Sequence, residues 1–212
     1  KYTGNISGFF SNLVAYGNIT TNAGSLNTDI LLQFENNMKD LKYNGTIRTS
    51  SFQLGDLLST KTLGKTAFKI NTKGTKLQNR SLQGTISGDI AEIYLNRYNY
   101  QKIRVDGKYD GSGFEGKMDV NDPNLKASFD GVVDLTKKLP VFNFNLLVNN
   151  ADINALHLTK EYKDSRLSFY GNTNMIGNSL NNLNGYLMLD SIRFINAGEE
   201  LVMDQLLFES EV

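Results

Sequence analysis

The chain has no cysteine, no tryptophan, one histidine and two prolines in 212 residues. Without cysteine there is no disulfide framework, no thiolate metal centre and no thiol nucleophile. A single histidine excludes a Cys/His finger and a multi-histidine cage. An excess of one charge sign is also missing: 22 basic residues balance 22 acidic ones. A nucleic-acid partner needs a basic stripe against the phosphates, so none is expected. No apolar run approaches the ~18 residues of a membrane-spanning helix. The chain opens on Lys1 without a charged-then-apolar leader. It closes in the strand-like run Leu201 to Ser210, so it reads as the interior of a longer protein.

What is present is a globular composition, 40% hydrophobic and 21% charged. Its apolar residues recur with a period of two. Leu82, Gly84, Ile86, Gly88 and Ile90 alternate with polar neighbours. So do Ile103, Val105, Gly107 and Tyr109; Phe114, Gly116, Met118 and Val120; Leu125, Ala127, Phe129, Gly131 and Val133; and Phe142, Phe144, Leu146 and Val148. Successive side chains on a strand point to opposite faces, so each run predicts a strand with one apolar and one wet face. Short links such as Asp110-Gly111-Ser112-Gly113 and Asn121-Asp122-Pro123-Asn124 favour antiparallel neighbours, because a parallel crossover needs a dozen or more residues. Helix signal is confined to one or two turns at Phe52–Leu58 and Ala151–Leu156, the second with Asp152 as a cap. Glu161 to Asp164 reads as a charged loop.

An internal repeat organises the pattern. An offset of 101 places Phe68 on Phe169, Leu82-Gln83-Gly84 on Leu183-Asn184-Gly185, and Asp89 on Asp190. The copies run from about 41 to 108 and from about 142 to 209, within one continuous segment covering residues 1–212. The repeat bears on the Asn-Gly and Asp-Gly pairs at Gly45, Gly107, Gly131 and Gly185, each a hairpin signal by itself. Gln83-Gly84 fills the slot of Asn184-Gly185 and makes a poor turn. Glycine is therefore expected within strands, on the apolar face, where it bends a sheet or leaves room against the backbone.

So many one-sided strands leave an apolar face that the few helical turns cannot cover. A sandwich, a barrel or a curled trough would each solve this. The mixture of Phe, Leu and Val with Gly and Ala suits a curled sheet with a lumen at least as well as a sandwich. The fold expected from the residues is all-β and antiparallel, with an elongated curled sheet as one of these three solutions.

The run Val105 to Gly131, with Gly113-Phe114-Glu115-Gly116 leading into Asp122-Pro123-Asn124, resembles the Bacteroidota branch of the TamB family. This is the translocation and assembly module subunit, related to AsmA-like proteins. Pro140 to Leu146 and Asn178 to Gly185 are similar to it as well. The resemblance implies a periplasmic β-taco that carries phospholipid along an apolar groove between inner and outer membrane. It also implies an inner-membrane anchor outside this segment, and a link to outer-membrane protein assembly through an Omp85-type partner. It brings no catalytic residues and no cofactor. The groove floor is expected at Ile86, Ile103, Val105, Phe114, Met118, Val120, Phe129, Val133, Phe142, Phe144, Leu146 and Leu187. A closed β-sandwich or solenoid acting as a surface adhesin is the alternative.

Other motifs carry less. Gly111-Ser112-Gly113-Phe114-Glu115-Gly116 matches a dinucleotide fingerprint, but a strand follows where a helix is needed. Asp119 to Asn124 lacks the ligand spacing of a calcium loop. His157 has no acidic or thiol partner in sequence reach, and the carboxylate pairs Asp119/Asp130 and Glu199/Glu200 fall on wet faces or in turns. No enzyme is expected.

Overall fold

A computed structural model describes residues 1–9, 11–58, 60–159 and 164–211. The fold is all-β and open. Contacts divide the chain into two compact units, residues 1–111 and 112–212. The first holds β1 (Tyr2–Phe9), β2 (Asn12–Thr21), β3 (Gly24–Glu35), β4 (Asp40–Gln53), α1 (Leu54–Leu58), β5 (Leu63–Lys76), β6 (Leu82–Leu95) and β7 (Tyr98–Asp110). The second holds β8 (Gly113–Asn121), β9 (Leu125–Asp134), β10 (Val141–Asp152), β11 (Arg166–Ile176), β12 (Asn184–Asn196) and β13 (Glu199–Ser210). Within each unit every strand pairs antiparallel with the next in chain order. Among the described residues, neither unit closes its first strand onto its last, so neither is a barrel.

An offset of 101 residues carries the starts of β4, β6 and β7 from 40, 82 and 98 to 141, 183 and 199. The starts of β10, β12 and β13 lie at 141, 184 and 199. Both sets also break register toward the end of their first strand, two residues apart under that offset. β4 shifts between Thr49 and Phe52, and β10 between Val148 and Ala151. These are β-bulges, each at two successive polar residues, Ser50-Ser51 and Asn149-Asn150.

Among the described residues, five of the eight buried apolar ones lie near these bulges, the other three being Tyr43, Ile103 and Val105. Phe52 and Ala67 lie there in the first unit, and Val148, Ala151 and Leu156 in the second. A short helical segment follows each bulged strand. In the first unit it is α1. In the second, residues 153–158 form hydrogen-bonded turns, where the sequence suggested a helix over Ala151–Leu156. Ala151 and Asp152 instead extend β10, paired with Leu167 and Arg166. Asp152 does cap the turns, its carboxylate accepting the Ala155 amide at 2.8 Å. Residues 161–163 of the expected charged loop lie outside the described residues.

The Asp-Gly and Asn-Gly pairs fall inside strands. Gly45, Gly107 and Gly131 sit within β4, β7 and β9, and Gly185 is the second residue of β12. Hairpins turn instead at Asn96-Arg97 and Ala197-Gly198, all four with positive φ, as two-residue hairpin loops require. Gly113 starts β8 and no helix follows it, so the fingerprint-like glycines hold no dinucleotide geometry.

Candidate functional site

Residues directly opposite in a ladder share a face, so the register sorts the apolar side chains. In the second unit one row runs Phe114, Val133, Phe142, Met175, Gly185. The next runs Gly116, Gly131, Phe144, Thr173, Leu187, Phe208. A third runs Met118, Phe129, Leu146, Gly171, Leu189, Leu206. Val120, Ala127, Val148 and Phe169 continue it. The nine expected floor residues of this unit therefore lie on one face, which carries no charged side chain in these rows. Phe114, Phe129 and Phe144 form a stack across β8, β9 and β10, with ring centres 6.1 and 5.1 Å apart. All nine are half-buried rather than buried.

In the first unit Ile86 lies opposite Gly107, Val105 opposite Gly88, and Ile103 opposite Ile90, again on one face. Val105 and Ile103 are among the few buried apolar residues. The Val105 row extends through Ile70, Ile47 and Thr28, and the Ile86 row through Thr72, Gly45, Ile30 and Ala15.

Threonines on this face are turned inward to the sheet. Thr28 donates to the carbonyl of Ala15 at 3.3 Å, Thr72 to that of Thr85 at 2.9 Å, and Thr173 to that of Tyr186 at 2.9 Å. Each hydroxyl is satisfied by backbone, so the face stays apolar at these positions.

Sequence reasoning missed one polar feature of the face. Tyr43 of β4 and Tyr109 of β7 meet hydroxyl to hydroxyl, although two strands separate them. Glycine lies at this level on both intervening strands, Gly74 opposite Tyr43 and Gly84 opposite Tyr109. A Cβ on Gly74 would come within 2.7 Å of the Tyr43 ring carbon Cζ. The ring therefore occupies the space that the side chain leaves vacant. Tyr109 also contacts the Thr72 hydroxyl at 2.9 Å, and Tyr43 donates to the Gln83 carbonyl at 3.2 Å. Burial, then the Tyr109 hydrogen bond, holds the Tyr43 phenol well above its ordinary range. Tyr43→Phe should cost about 1 kcal/mol of stability, read by urea unfolding. A phenol whose pKa is raised by folding contributes fully below its unfolded pKa of about 10 and loses that contribution as pH rises above it. The wild type should therefore weaken above about pH 10 more steeply than Tyr43→Phe.

The opposite face is polar. The carbonyl oxygen of Asn145 accepts from Tyr170 at 2.7 Å and from Asn172 at 2.6 Å, and that of Asn172 accepts from Tyr186 at 2.7 Å. Asn27 donates to Asn18, and Gln33 to Asn12, each at 2.9 Å. Ion pairs on exposed positions join Lys117 to Asp130 and Arg193 to Glu200. The Arg193 contact holds the Glu200 carboxyl below its ordinary range.

Asp122 is buried in the β8–β9 turn, where its carboxylate accepts the Asn124 amide at 2.8 Å. This is an Asx turn. Among the described residues, no group of three or more His, Asp or Glu is placed to hold a metal ion. His157 is exposed, with a positive φ, in the turns after β10.

No protein-family model, curated protein or solved structure matches the chain. The apolar face is thus read on its own chemistry. It is broad, uncharged in the second unit's rows, and continuous from strand to strand within each unit. It can hold flexible hydrocarbon without fixing its register, because dispersion and hydrophobic contact are non-directional.

Proposed function

We propose that this chain is a segment of a lipid conduit, an envelope-spanning periplasmic bridge of the TamB kind that passes phospholipid along an apolar β-sheet floor. Acyl chains lie on the rows containing Phe114, Phe129 and Phe144, and head groups stay in water. Docking to an Omp85-type partner and an inner-membrane anchor belong to the same reading, by resemblance. No helix among the described residues is long and apolar enough to cross a membrane.

One observation carries the proposal: the nine floor residues of the second unit, on one face, stay half-buried. The accessible surface of the chain is 13668 Å². Two separate compact proteins of half its mass would expose only about 12,000 Å². Covering apolar surface is favourable by about 25 cal/mol per Å², so an acyl chain laid on these rows gains steadily along its length.

Native mass spectrometry of the chain purified from membranes tests this. Bound phospholipid, displaced by added detergent, is expected. A lipid-free chain that also fails to take up phospholipid from vesicles would refute the conduit.

A further inference from the structure

The polar face of the first unit carries a recess unrelated to the apolar rows. The β5–β6 ladder shifts register between Leu63 and Thr66 of β5, which sets Gly64 and Lys65 against Tyr94 of β6. A Cβ on Gly64 would lie 2.7 Å from the Tyr94 ring carbon Cδ1, so the ring rests against bare backbone. The other part of Tyr94 remains open, the residue being 40% exposed. Beside it lies a hollow of about 440 Å³, lined by Gln53, Gly64, Lys65, Glu92, Tyr94 and Asn99. The hollow is shallow and open to solvent rather than enclosed.

The lining sorts into two flanks around the ring. Gln53 of β4 and Lys65 of β5 are direct ladder partners and form one flank. Glu92 and Asn99 form the other, the Asn99 amide donating to the Glu92 carboxylate at 3.0 Å. That bond orients both groups and leaves further acceptor capacity on Glu92. Lys65 joins no ion pair among the described residues.

We propose that this recess binds an acidic sugar unit of a glycan. The exposed part of Tyr94 takes the C–H face of a pyranose ring. Glu92 and Asn99 take hydroxyl groups, one flank accepting and donating as sugar hydroxyls require. The Lys65 ammonium takes the carboxylate. Glu92 argues against a small inorganic anion, whose charge it would oppose. A sugar acid separates its hydroxyls from its single charge, as the two flanks do.

The test titrates the 212-residue chain with trigalacturonate, with neutral cellotriose and with inorganic phosphate, using calorimetry and saturation-transfer NMR. Trigalacturonate should bind about tenfold or more tightly than cellotriose, as expected for one charge-assisted hydrogen bond. Lys65→Gln should remove that advantage and leave cellotriose unchanged. Tyr94→Ala should weaken both sugars about tenfold or more, while Tyr94→Phe keeps them. Circular dichroism checks that each variant is folded. The proposal is overturned if trigalacturonate shows no binding at about 10 mM, if phosphate binds as well as trigalacturonate, or if Lys65→Gln leaves the uronate preference intact. The Lys65 arm stands even if Tyr94→Ala does not fold. It does not depend on the lipid reading, because the recess lies on the face away from the apolar rows.

Discussion

Phe129→Asp should reduce phospholipid bound to the purified chain about tenfold or more. Phe129 is the middle ring of the three-ring stack, opposite Met118 on one side and Leu146 on the other. A carboxylate here would face acyl chains with no basic side chain in its row. Desolvating an unpaired charge costs several kcal/mol, and each 1.4 kcal/mol is tenfold in occupancy. The same substitution removes two ring contacts, worth about 0.5–1.5 kcal/mol each beyond the lost area, so unfolding must be measured alongside. Phe129→Leu separates the two effects, keeping the floor apolar while losing the rings. Asp130→Asn, one residue along and on the polar face, should leave lipid content unchanged. Normal lipid content in a folded, abundant Phe129→Asp chain would remove the floor from the proposal.

Gly131→Val should destabilise the second unit by about 3 kcal/mol or more. Two separate penalties add. Gly131 has φ +149°, which side-chain-bearing residues rarely adopt. A Cβ there would also lie 2.6 Å from the Cβ of Phe144, its ladder partner on β10. Neither neighbour can yield, because β9 is paired on both sides. Gly198→Ala supplies the comparison. It also has positive φ, +88°, but nothing lies within 4 Å of its added Cβ. It should cost only about 1 kcal/mol, the conformational penalty alone. Urea unfolding of the two variants measures the difference, and equal losses would mean that crowding by Phe144 contributes nothing.

The strands from β6 to β10 were legible because each keeps strict alternation over most of its length. Phe114 to Val120 and Leu125 to Val133 need only a period of two to be placed, and the ladder puts them on one face as expected. The strands β1 to β4 were harder. Leu13-Val14-Ala15-Tyr16 is apolar at both parities, so period alone assigns no face. The bulges left a trace that was not read. Ser50-Ser51 and Asn149-Asn150 each put polar residues on both parities in mid-strand, which is where the register shifts. The helix suggested at Ala151–Leu156 lost its first two residues to pairing with β11, since ladder bonds available to Ala151 and Asp152 outweigh weak local helix propensity. The Tyr43–Tyr109 contact was beyond any sequence pattern. Periodicity assigns a residue to a face but does not say which way a ring leans, and 66 residues separate the two. The glycines opposite them, Gly74 and Gly84, held the available clue.

Asparagine has a structural role on the polar face. The pairs Asn145–Asn172, Asn18–Asn27 and Asn12–Gln33 are cross-strand partners in the ladders as well as hydrogen-bonded to each other. Neutral amides thus do on this surface what alternating lysine and glutamate do on many others. Ionic screening acts on charges and leaves amide pairs nearly untouched. The share of the wet face's cohesion held by these amide pairs should therefore change little between dilute buffer and strong brine, while the exposed Lys117–Asp130 and Arg193–Glu200 pairs weaken.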